Sequence, residues 1–297
     1  MIPKDPKIKI LQCDTRDLVI QTQSRNLYYG KPTEYDYESL MRNNQNELFH
    51  PETSIHAVSL CCLVNMMKCK LNGFHYECVK GDSDDWDFPS IVANANVYSV
   101  GESKKRAVTW LKPKTILEQM CKEENRSIEI FCVLDTDAWI RDEEAFLEFV
   151  KKFSTSNATI AMAEDISRST ILNSGCIFIK NNEEGRKIIE TIYSSPLYKK
   201  YHNVVYHEQS ALSEYYLEHK EQFMVLPLND FNTPCGSVVR HAWLHGLFYK
   251  LIQDEVTALF TKLSLSVLNS TTHTIGNPFL VYDTKAERGV FPVLKKL

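Results

Sequence analysis

An apolar run that ends in two aspartates constrains this chain more than any other feature. Residues 128–134 (IEIFCVL) become fully apolar at their end, and Asp135-Thr136-Asp137 follows directly. Such a run predicts a central strand that is covered on both faces. One carboxylate there would be costly to bury, but two carboxylates on a tight turn can share a divalent cation. The pattern therefore indicates a Mn²⁺ or Mg²⁺ site. The alternative is a plain turn whose aspartates cap the next helix.

Strand and helix patterns alternate along most of the chain. Strands are predicted at residues 7–13, 74–79, 128–134, 158–163, 176–179, 223–228 and 236–243, and helices at 54–71, 109–122, 141–153, 183–193, 208–219 and 247–263. This alternation predicts an α/β fold with a mainly parallel sheet flanked by helices. Ligands of such sheets bind beyond the carboxyl ends of the strands, so the residues that follow the strands are the candidate site.

The domain prediction is one domain over residues 1–263, with an irregular insertion at about 24–53. Residues 264–297 are predicted to be an extension packed on that domain. Loops as long as the insertion are usually functional.

Composition excludes several classes of protein. The net charge of −4 over 297 residues provides no electrostatic footprint for nucleic acid. We expect no transmembrane segment, because no stretch approaches the roughly 18 apolar residues that one needs. Nine cysteines without a Cys-x-x-Cys pair favour a reducing compartment. We therefore expect a cytoplasmic protein, or a Golgi-lumenal one if an upstream anchor has been removed.

Two chemistries use a paired-aspartate turn of this kind. One is sugar transfer from a nucleotide sugar, in which a metal bridges the diphosphate. The other is phosphoryl transfer by a DxD-type phosphatase or phosphotransferase, which usually carries the pair near the N-terminus and a Thr or Val where this chain has Trp139. Sugar transfer is favoured. A catalytically inactive module that binds a nucleotide sugar is a third hypothesis.

Several segments, in order, resemble the DxD glycosyltransferases of the GT-A type. The resemblance is closest to the retaining galactosyl-, mannosyl- and xylosyltransferases of fungi and plants. The segments that carry it are 65–76 (NMMKCKLNGFHY), 110–112 (WLK), 131–140 (FCVLDTDAWI), 172–181 (LNSGCIFIKN), 208–209 (EQ), 231–232 (FN) and 238–241 (VVRH). The resemblance implies a GT-A fold and transfer from a UDP- or GDP-sugar to a glycan or glycoconjugate acceptor, with retention of configuration.

The same resemblance implies roles for individual residues. Asp135 and Asp137 would hold the metal, and a histidine would complete its ligands. His241 is the first choice for that histidine, because it follows a strand-like segment, and His245 is its rival. A neutral imidazole is a good ligand for Mn²⁺. Either histidine has a plain alternative as a packing residue.

The implied donor-binding residues are Asp14, Thr15, Arg16, Lys112, Asp135, Thr136, Asn173 and Gly175. The first three follow the first strand, where the nucleotide would sit, and Lys112 would neutralise the diphosphate. Asn173 and Gly175 would face the sugar, since glycine permits close backbone approach. The alternatives are ordinary polar turns and a solvated lysine.

The implied catalytic pair is Glu208 and Gln209. A carboxylate there would stabilise an oxocarbenium-like transition state or act as a nucleophile, and Gln209 would hold the donor or acceptor. The alternative for Glu208 is a favourable charge at a helix start.

Overall fold

A computed structural model of the chain describes residues 5–14, 57–81, 106–166, 170–202, 206–243 and 248–272. The strands are β1 (Ile8–Asp14), β2 (His75–Lys80), β3 (Ile130–Leu134), β4 (Ala138–Ile140), β5 (Ile160–Glu164), β6 (Leu172–Lys180), β7 (Phe223–Leu226) and β8 (Val239–His241). The α-helices are α1 (Ala57–Asn72), α2 (Leu111–Cys121), α3 (Glu143–Thr155), α4 (Glu183–Ser194), α5 (His207–Glu218), α6 (Leu228–Phe231) and α7 (Phe248–Thr272). Short 3-10 turns lie at Val108–Trp110, Glu123–Asn125, Pro196–Tyr201 and Lys220–Gln222.

The chain divides into two compact units, Met1–Thr257 and Ala258–Leu297. The eight strands among the described residues all lie in the first unit. The described residues of the second unit, 258–272, are helical. None of the described helices has the length and apolar character needed to cross a membrane.

A six-stranded sheet forms the centre of the first unit, in the order β2-β1-β3-β6-β5-β7. The strands pair in parallel except for β6, which is antiparallel to both β3 and β5. The predicted fold class, an α/β fold with a mainly parallel sheet, is confirmed. Strand β6 starts at Leu172, earlier than the predicted 176. Residues 173–175 have the composition of a turn, but Leu172 and Asn173 already pair with β5, ahead of a shift in register.

A second, two-stranded sheet pairs β4 with β8 in antiparallel register, with Ala138 opposite His241 and Ile140 opposite Val239. The predicted strand at 236–243 is confirmed in its centre only. Strand β4 was not predicted, because three residues are too few for a periodic pattern.

The core lies on both faces of the six-stranded sheet, as the apolar composition of β3 predicts. Alternate residues of that strand point to opposite faces: Phe131 and Val133 pack with α2, α4 and α5, and Ile130, Cys132 and Leu134 pack with α1 and α3. A third cluster joins Trp139 of β4 to α1 and to the start of α7.

Local signals account for two of the helix ends. Gly73 has φ +71°, in the left-handed region, and ends α1. Phe74 N–H then donates to Cys69 O at 2.9 Å. Asp142 caps α3 by accepting from Ala145 N–H at 2.9 Å. The helix predicted at 109–122 instead begins as a 3-10 turn.

Candidate functional site

Three side chains that suit a metal ion meet at the carboxyl end of β3. Asp135 and Asp137 lie in the turn between β3 and β4, and His241 ends β8. His241 Nε2 lies 3.3 Å from Asp137 Oδ1 and 3.5 Å from Asp135 Oδ2. One ligand atom from each residue falls within 4.8 Å of the other two. These three residues therefore form a candidate metal site.

The other ring nitrogen of His241 is engaged behind the site. His241 Nδ1 lies 2.7 Å from Asn232 Oδ1, which also accepts from Trp243 Nε1 at 3.0 Å. Asn232 is itself anchored, because its Nδ2 donates to Glu164 O at 2.9 Å. A hydrogen on Nδ1 satisfies this contact and leaves a lone pair on Nε2 that points at the carboxylates, as a metal-binding imidazole requires.

The backbone of the aspartate turn is held by three hydrogen bonds to other parts of the chain. Asp135 N–H donates to Gly175 O at 2.8 Å, and Gln12 Nε2 donates to Asp135 O at 2.9 Å. Ala242 N–H donates to Asp137 O at 2.9 Å. The turn therefore has fixed partners in the backbone of β6, in the Gln12 side chain of β1 and in the chain just after β8, which keeps the two carboxylates side by side.

Gly175 provides the room that His241 occupies. A Cβ at this position would lie 2.1 Å from His241 Cε1 and 2.3 Å from its Nδ1. Real carbon atoms do not approach so closely, so only glycine lets the imidazole ring lie against β6. The approach of the sugar to Gly175 stays a prediction, and in this structure the group closest to that position is the histidine ring.

Lys112, near the start of α2, is 7% exposed and has two carboxylate partners. Its Nζ lies 2.8 Å from Asp135 Oδ1 and 2.8 Å from Glu208 Oε1. It also donates to Ser174 Oγ at 2.9 Å and to Ser174 O at 3.1 Å. The alternative of a solvated lysine is therefore wrong, and Lys112 links the aspartate turn to α5.

Burial and neighbouring charges shift the pKa values of these groups. Burial raises the pKa of Asp135 against the opposing effects of Lys112 and His241. Burial acts in the same direction on Glu208, but the Lys112 ammonium outweighs it and holds the pKa of Glu208 below its ordinary value. Burial lowers the pKa of His241, and the carboxylates of Asp137 and Asp135 outweigh that effect and raise it.

Glu208 and Gln209 open α5 and are tied to β6. Ser174 Oγ lies 2.9 Å from Glu208 Oε1, and Ser174 N–H donates to Gln209 Oε1 at 2.9 Å. Gln209 Nε2 donates to Thr170 Oγ1 at 2.8 Å and to Asp165 Oδ2 at 3.2 Å. Both side chains therefore have fixed orientations.

The backbone just before Glu208 is unusual. Tyr206 and His207 have φ values of +64° and +38°, in a region that residues other than glycine rarely adopt. Such conformations persist only where the surroundings impose them, and they concentrate at functional sites. Here they accompany the buried start of α5, with Glu208 2% exposed.

The remaining predicted residues divide into two groups. Asp14 is buried at the end of β1, at the same edge of the sheet as the aspartate turn, and Thr136 lies between the two aspartates. Asn173 is buried in β6, and its Oδ1 accepts from Gly175 N–H at 2.7 Å. Thr15, Arg16 and His245 lie outside the described residues, as does the insertion predicted at about 24–53.

Sequence reasoning did not single out Ser174, Asp165 or Asn232. Ser174 and Asn232 lie inside segments that carry the family resemblance, and that was the available signal. Asp165 directly follows β5, and residues that follow the strands of such a sheet are the ones expected to bind ligands.

The charges of the cluster fit a divalent cation. Among its described side chains are three carboxylates, Asp135, Asp137 and Glu208, and one ammonium, Lys112. With His241 neutral, three negative charges minus one positive charge leave two negative charges in a largely buried site. Oxygen ligands with one imidazole suit Mn²⁺, and Mg²⁺ accepts the oxygens.

Comparisons with known proteins point to one fold. No protein-family model matches the sequence, and no curated protein matches it. A solved glycosyltransferase involved in the glycosylation of the major capsid of PBCV-1 superposes with a TM-score of 0.52 at 12% identity, over 85% of this chain and 100% of that one. The chain therefore has the fold of a GT-A glycosyltransferase.

Two other structural matches are weaker. Mouse xyloside xylosyltransferase 1 has a TM-score of 0.36 at 14% identity, over 76% of this chain and 86% of that one. The glycosyltransferase GlyE of Streptococcus pneumoniae TIGR4 has a TM-score of 0.42 at 12% identity, over 87% of this chain and 64% of that one.

Proposed function

We propose that this protein is a metal-dependent glycosyltransferase that moves a sugar from a nucleotide-diphosphate sugar to a hydroxyl group of a glycan or glycoconjugate. The observation that carries the proposal is the meeting of Asp135, Asp137 and His241 at the carboxyl end of β3 in a GT-A fold. Their oxygen and nitrogen atoms would hold Mn²⁺ or Mg²⁺. A divalent cation bound there supplies positive charge to the diphosphate of a UDP- or GDP-sugar as it departs.

The chain's own residues would prepare that reaction. Lys112 holds a buried positive charge beside Asp135, where it would add to the charge that attracts a diphosphate. Asp14 and Thr136, at the same edge of the sheet, are proposed to contact the nucleotide, together with Thr15 and Arg16. Asn173 and Gly175 are proposed to line the sugar side.

Glu208 is proposed as the catalytic carboxylate and Gln209 as its neighbour at the sugar. The ion pair with Lys112 keeps Glu208 negatively charged, and a negative charge stabilises an oxocarbenium-like transition state. In the transfer, the bond between the anomeric carbon and the diphosphate oxygen breaks, and its electron pair leaves with the nucleoside diphosphate. The acceptor oxygen bonds to that carbon, and its proton passes to the departing diphosphate. Retention of configuration is part of the proposal.

The test replaces each metal-site aspartate in turn. We expect Asp135→Ala and Asp137→Ala to abolish Mn²⁺-dependent binding of UDP and GDP in calorimetry, with the fold intact by circular dichroism. Asp142→Ala is the matched control, because it removes an exposed aspartate that only caps α3. Persistence of Mn²⁺-dependent binding and turnover in both site variants contradicts the metal assignment.

A screen of UDP-, GDP- and CDP-sugars by thermal shift, with and without Mn²⁺, then identifies the donor. We expect one nucleotide class to raise Tm only when Mn²⁺ is present. Hydrolysis of phosphomonoesters without turnover of any nucleotide sugar supports the phosphotransferase alternative. Nucleotide binding without Mn²⁺ dependence or turnover supports an inactive binding module.

A further inference from the structure

Helix α1 contacts the edge of β4 that faces away from β8. In an antiparallel pair, alternate residues direct their backbone groups to opposite edges. On the side of β8, Asp137 O accepts from Ala242 N–H and Arg141 N–H donates to Val238 O. The alternation therefore directs the carbonyls of Ala138 and Ile140, and the N–H of Ile140, to the other edge. These buried polar groups need partners, because an unpaired backbone group costs about 1–3 kcal/mol.

Asn65 of α1 pairs with β4 as a neighbouring strand would. It is 0% exposed. Its Nδ2 donates to Ala138 O at 2.9 Å, and its Oδ1 accepts from Ile140 N–H at 3.0 Å. A side-chain amide offers the same donor and acceptor as a peptide group, so one residue serves both positions. Ala138 O also accepts from Gln12 Nε2 at 3.3 Å and from Cys61 Sγ at 3.2 Å, whereas the N–H of Ile140 depends on Asn65.

Lys68, one turn further along α1, covers the next backbone groups. Its Nζ donates to Ile140 O at 2.8 Å and to Arg141 O at 3.1 Å. Its charge is balanced by Glu255 of α7, with Nζ and Oε1 2.7 Å apart and the two residues 3% and 4% exposed. The three hydrogens of the ammonium therefore each have a partner within the protein.

The position of β4 sets the geometry of the candidate metal site. Ala138 follows Asp137 directly and lies opposite His241 in the pair with β8. Ala242 N–H bonds Asp137 O on the side of β8, whereas Asn65 holds Ala138 O from the side of α1. A shift of β4 therefore changes the 3.3 Å separation of Asp137 Oδ1 and His241 Nε2.

We propose that Asn65, supported by Lys68, is a positioning residue of the metal site: by completing the outer edge of β4, it holds Asp137 at the distance from His241 that a shared cation needs. This inference rests on the proposed function. It assigns to α1 a role in metal affinity although no atom of Asn65 is a metal ligand.

The test measures binding of Mn²⁺ alone by titration calorimetry, without nucleotide. We expect Asn65→Ala to weaken Mn²⁺ binding by roughly tenfold to a hundredfold, as loss of a supporting hydrogen bond does at metal sites. We also expect a changed visible absorption spectrum of bound Co²⁺, which reports ligand geometry. Loss of stability alone would not alter that spectrum.

Asn181→Ala is the matched control. Asn181 also uses its side-chain amide on the backbone, donating to Asn125 O at 3.1 Å and to Ile128 O at 2.9 Å. It follows the end of β6 that pairs with the start of β3, opposite the aspartate turn. We expect this variant to lose stability and to bind Mn²⁺ as the wild type does.

Three results would overturn the inference. One is wild-type Mn²⁺ affinity and an unchanged Co²⁺ spectrum in folded Asn65→Ala. Another is an equal loss of affinity in Asn181→Ala. If Asn65→Ala does not fold, hydrogen exchange on the metal-free wild type provides the third test. We expect the Ile140 amide to be protected from exchange, and fast exchange of that amide contradicts the proposal. A wild type that binds no Mn²⁺ overturns the proposed function as well, which distinguishes the two failures.

Discussion

Replacing Gly175 by alanine tests the packing of the candidate metal site directly. The new Cβ would lie 2.1 Å from His241 Cε1. Carbon atoms in contact are normally about 3.5 Å apart, so the imidazole ring must move by about 1.4 Å. The backbone of Gly175 is itself held, because its carbonyl accepts from Asp135 N–H at 2.8 Å and its N–H donates to Asn173 Oδ1 at 2.7 Å. We expect a loss of about 1–3 kcal/mol of stability from overpacking.

The same displacement disturbs the ligand. A ring that moves this far loses its 2.7 Å contact with Asn232 and turns Nε2 away from the two carboxylates. We therefore expect Gly175→Ala to weaken Mn²⁺ binding at least about tenfold in titration calorimetry. Gly185→Ala is a matched control, since its Cβ would meet Lys180 O at the same 2.1 Å, at the start of α4. That variant should lose stability by urea denaturation but keep its Mn²⁺ affinity.

A double variant shows whether the histidine ring is the cause. In the His241→Ala background the crowding is gone, so adding Gly175→Ala should cost little further stability. The reasoning is refuted if Gly175→Ala binds Mn²⁺ as tightly as the wild type does. It is also refuted if its stability loss is the same with and without the His241 ring.

Three further outcomes are expected. A metal binds only the neutral imidazole, and nearby carboxylates raise the pKa of His241. Mn²⁺ affinity measured by calorimetry should therefore fall as the pH drops through that raised pKa. An affinity that does not change between pH ~5 and ~8 contradicts this prediction. Since Lys112 lowers the pKa of Glu208, the stabilisation from its charge is present above the ordinary value of 4.5 and is lost as pH falls through the lowered one. Lys112 keeps Asp135 as a partner in Glu208→Gln, so this variant should cost about 1–3 kcal/mol in urea denaturation at neutral pH and progressively less in acid, and its turnover should be lost. An equal cost at both pH values contradicts the ion pair. Asp142→Ala should lower stability by about 1 kcal/mol without changing Mn²⁺ affinity, and a changed affinity would show that it is not a neutral control.

The fold class followed from local patterns. The apolar residues of β3 predicted a strand buried on both faces, and the structure confirms it. Gly73, in the left-handed region, ends α1, and Asp142 caps α3, which was predicted from residue 141 and begins at Glu143. These features depend on periodicity and turn chemistry within a few residues, so sequence reasoning can reach them.

Part of the candidate site could be predicted from the sequence. The aspartates were indicated by their place after an apolar strand, whereas Lys112 and Glu208 entered through a family resemblance. The contact between Lys112 and Glu208 was not predicted, nor was the part that Ser174 takes in it. Nothing in the local sequence distinguishes a lysine that lies between two buried carboxylates from a solvated one.

The two aspartates directly follow the apolar strand in the sequence, so the acidic turn could be predicted from the sequence alone. His241, the third member of the candidate site, was named only through the family resemblance and with His245 as its rival, because its approach to Asp137 depends on the register in which β8 pairs with β4. That register is set by contacts between segments far apart in the chain: Gly175 leaves room for the ring, Asn232 orients it, and Asn65 holds the opposite edge of β4. Only the folded chain brings these groups together, since pairing and packing, unlike periodicity, are not properties of any single segment.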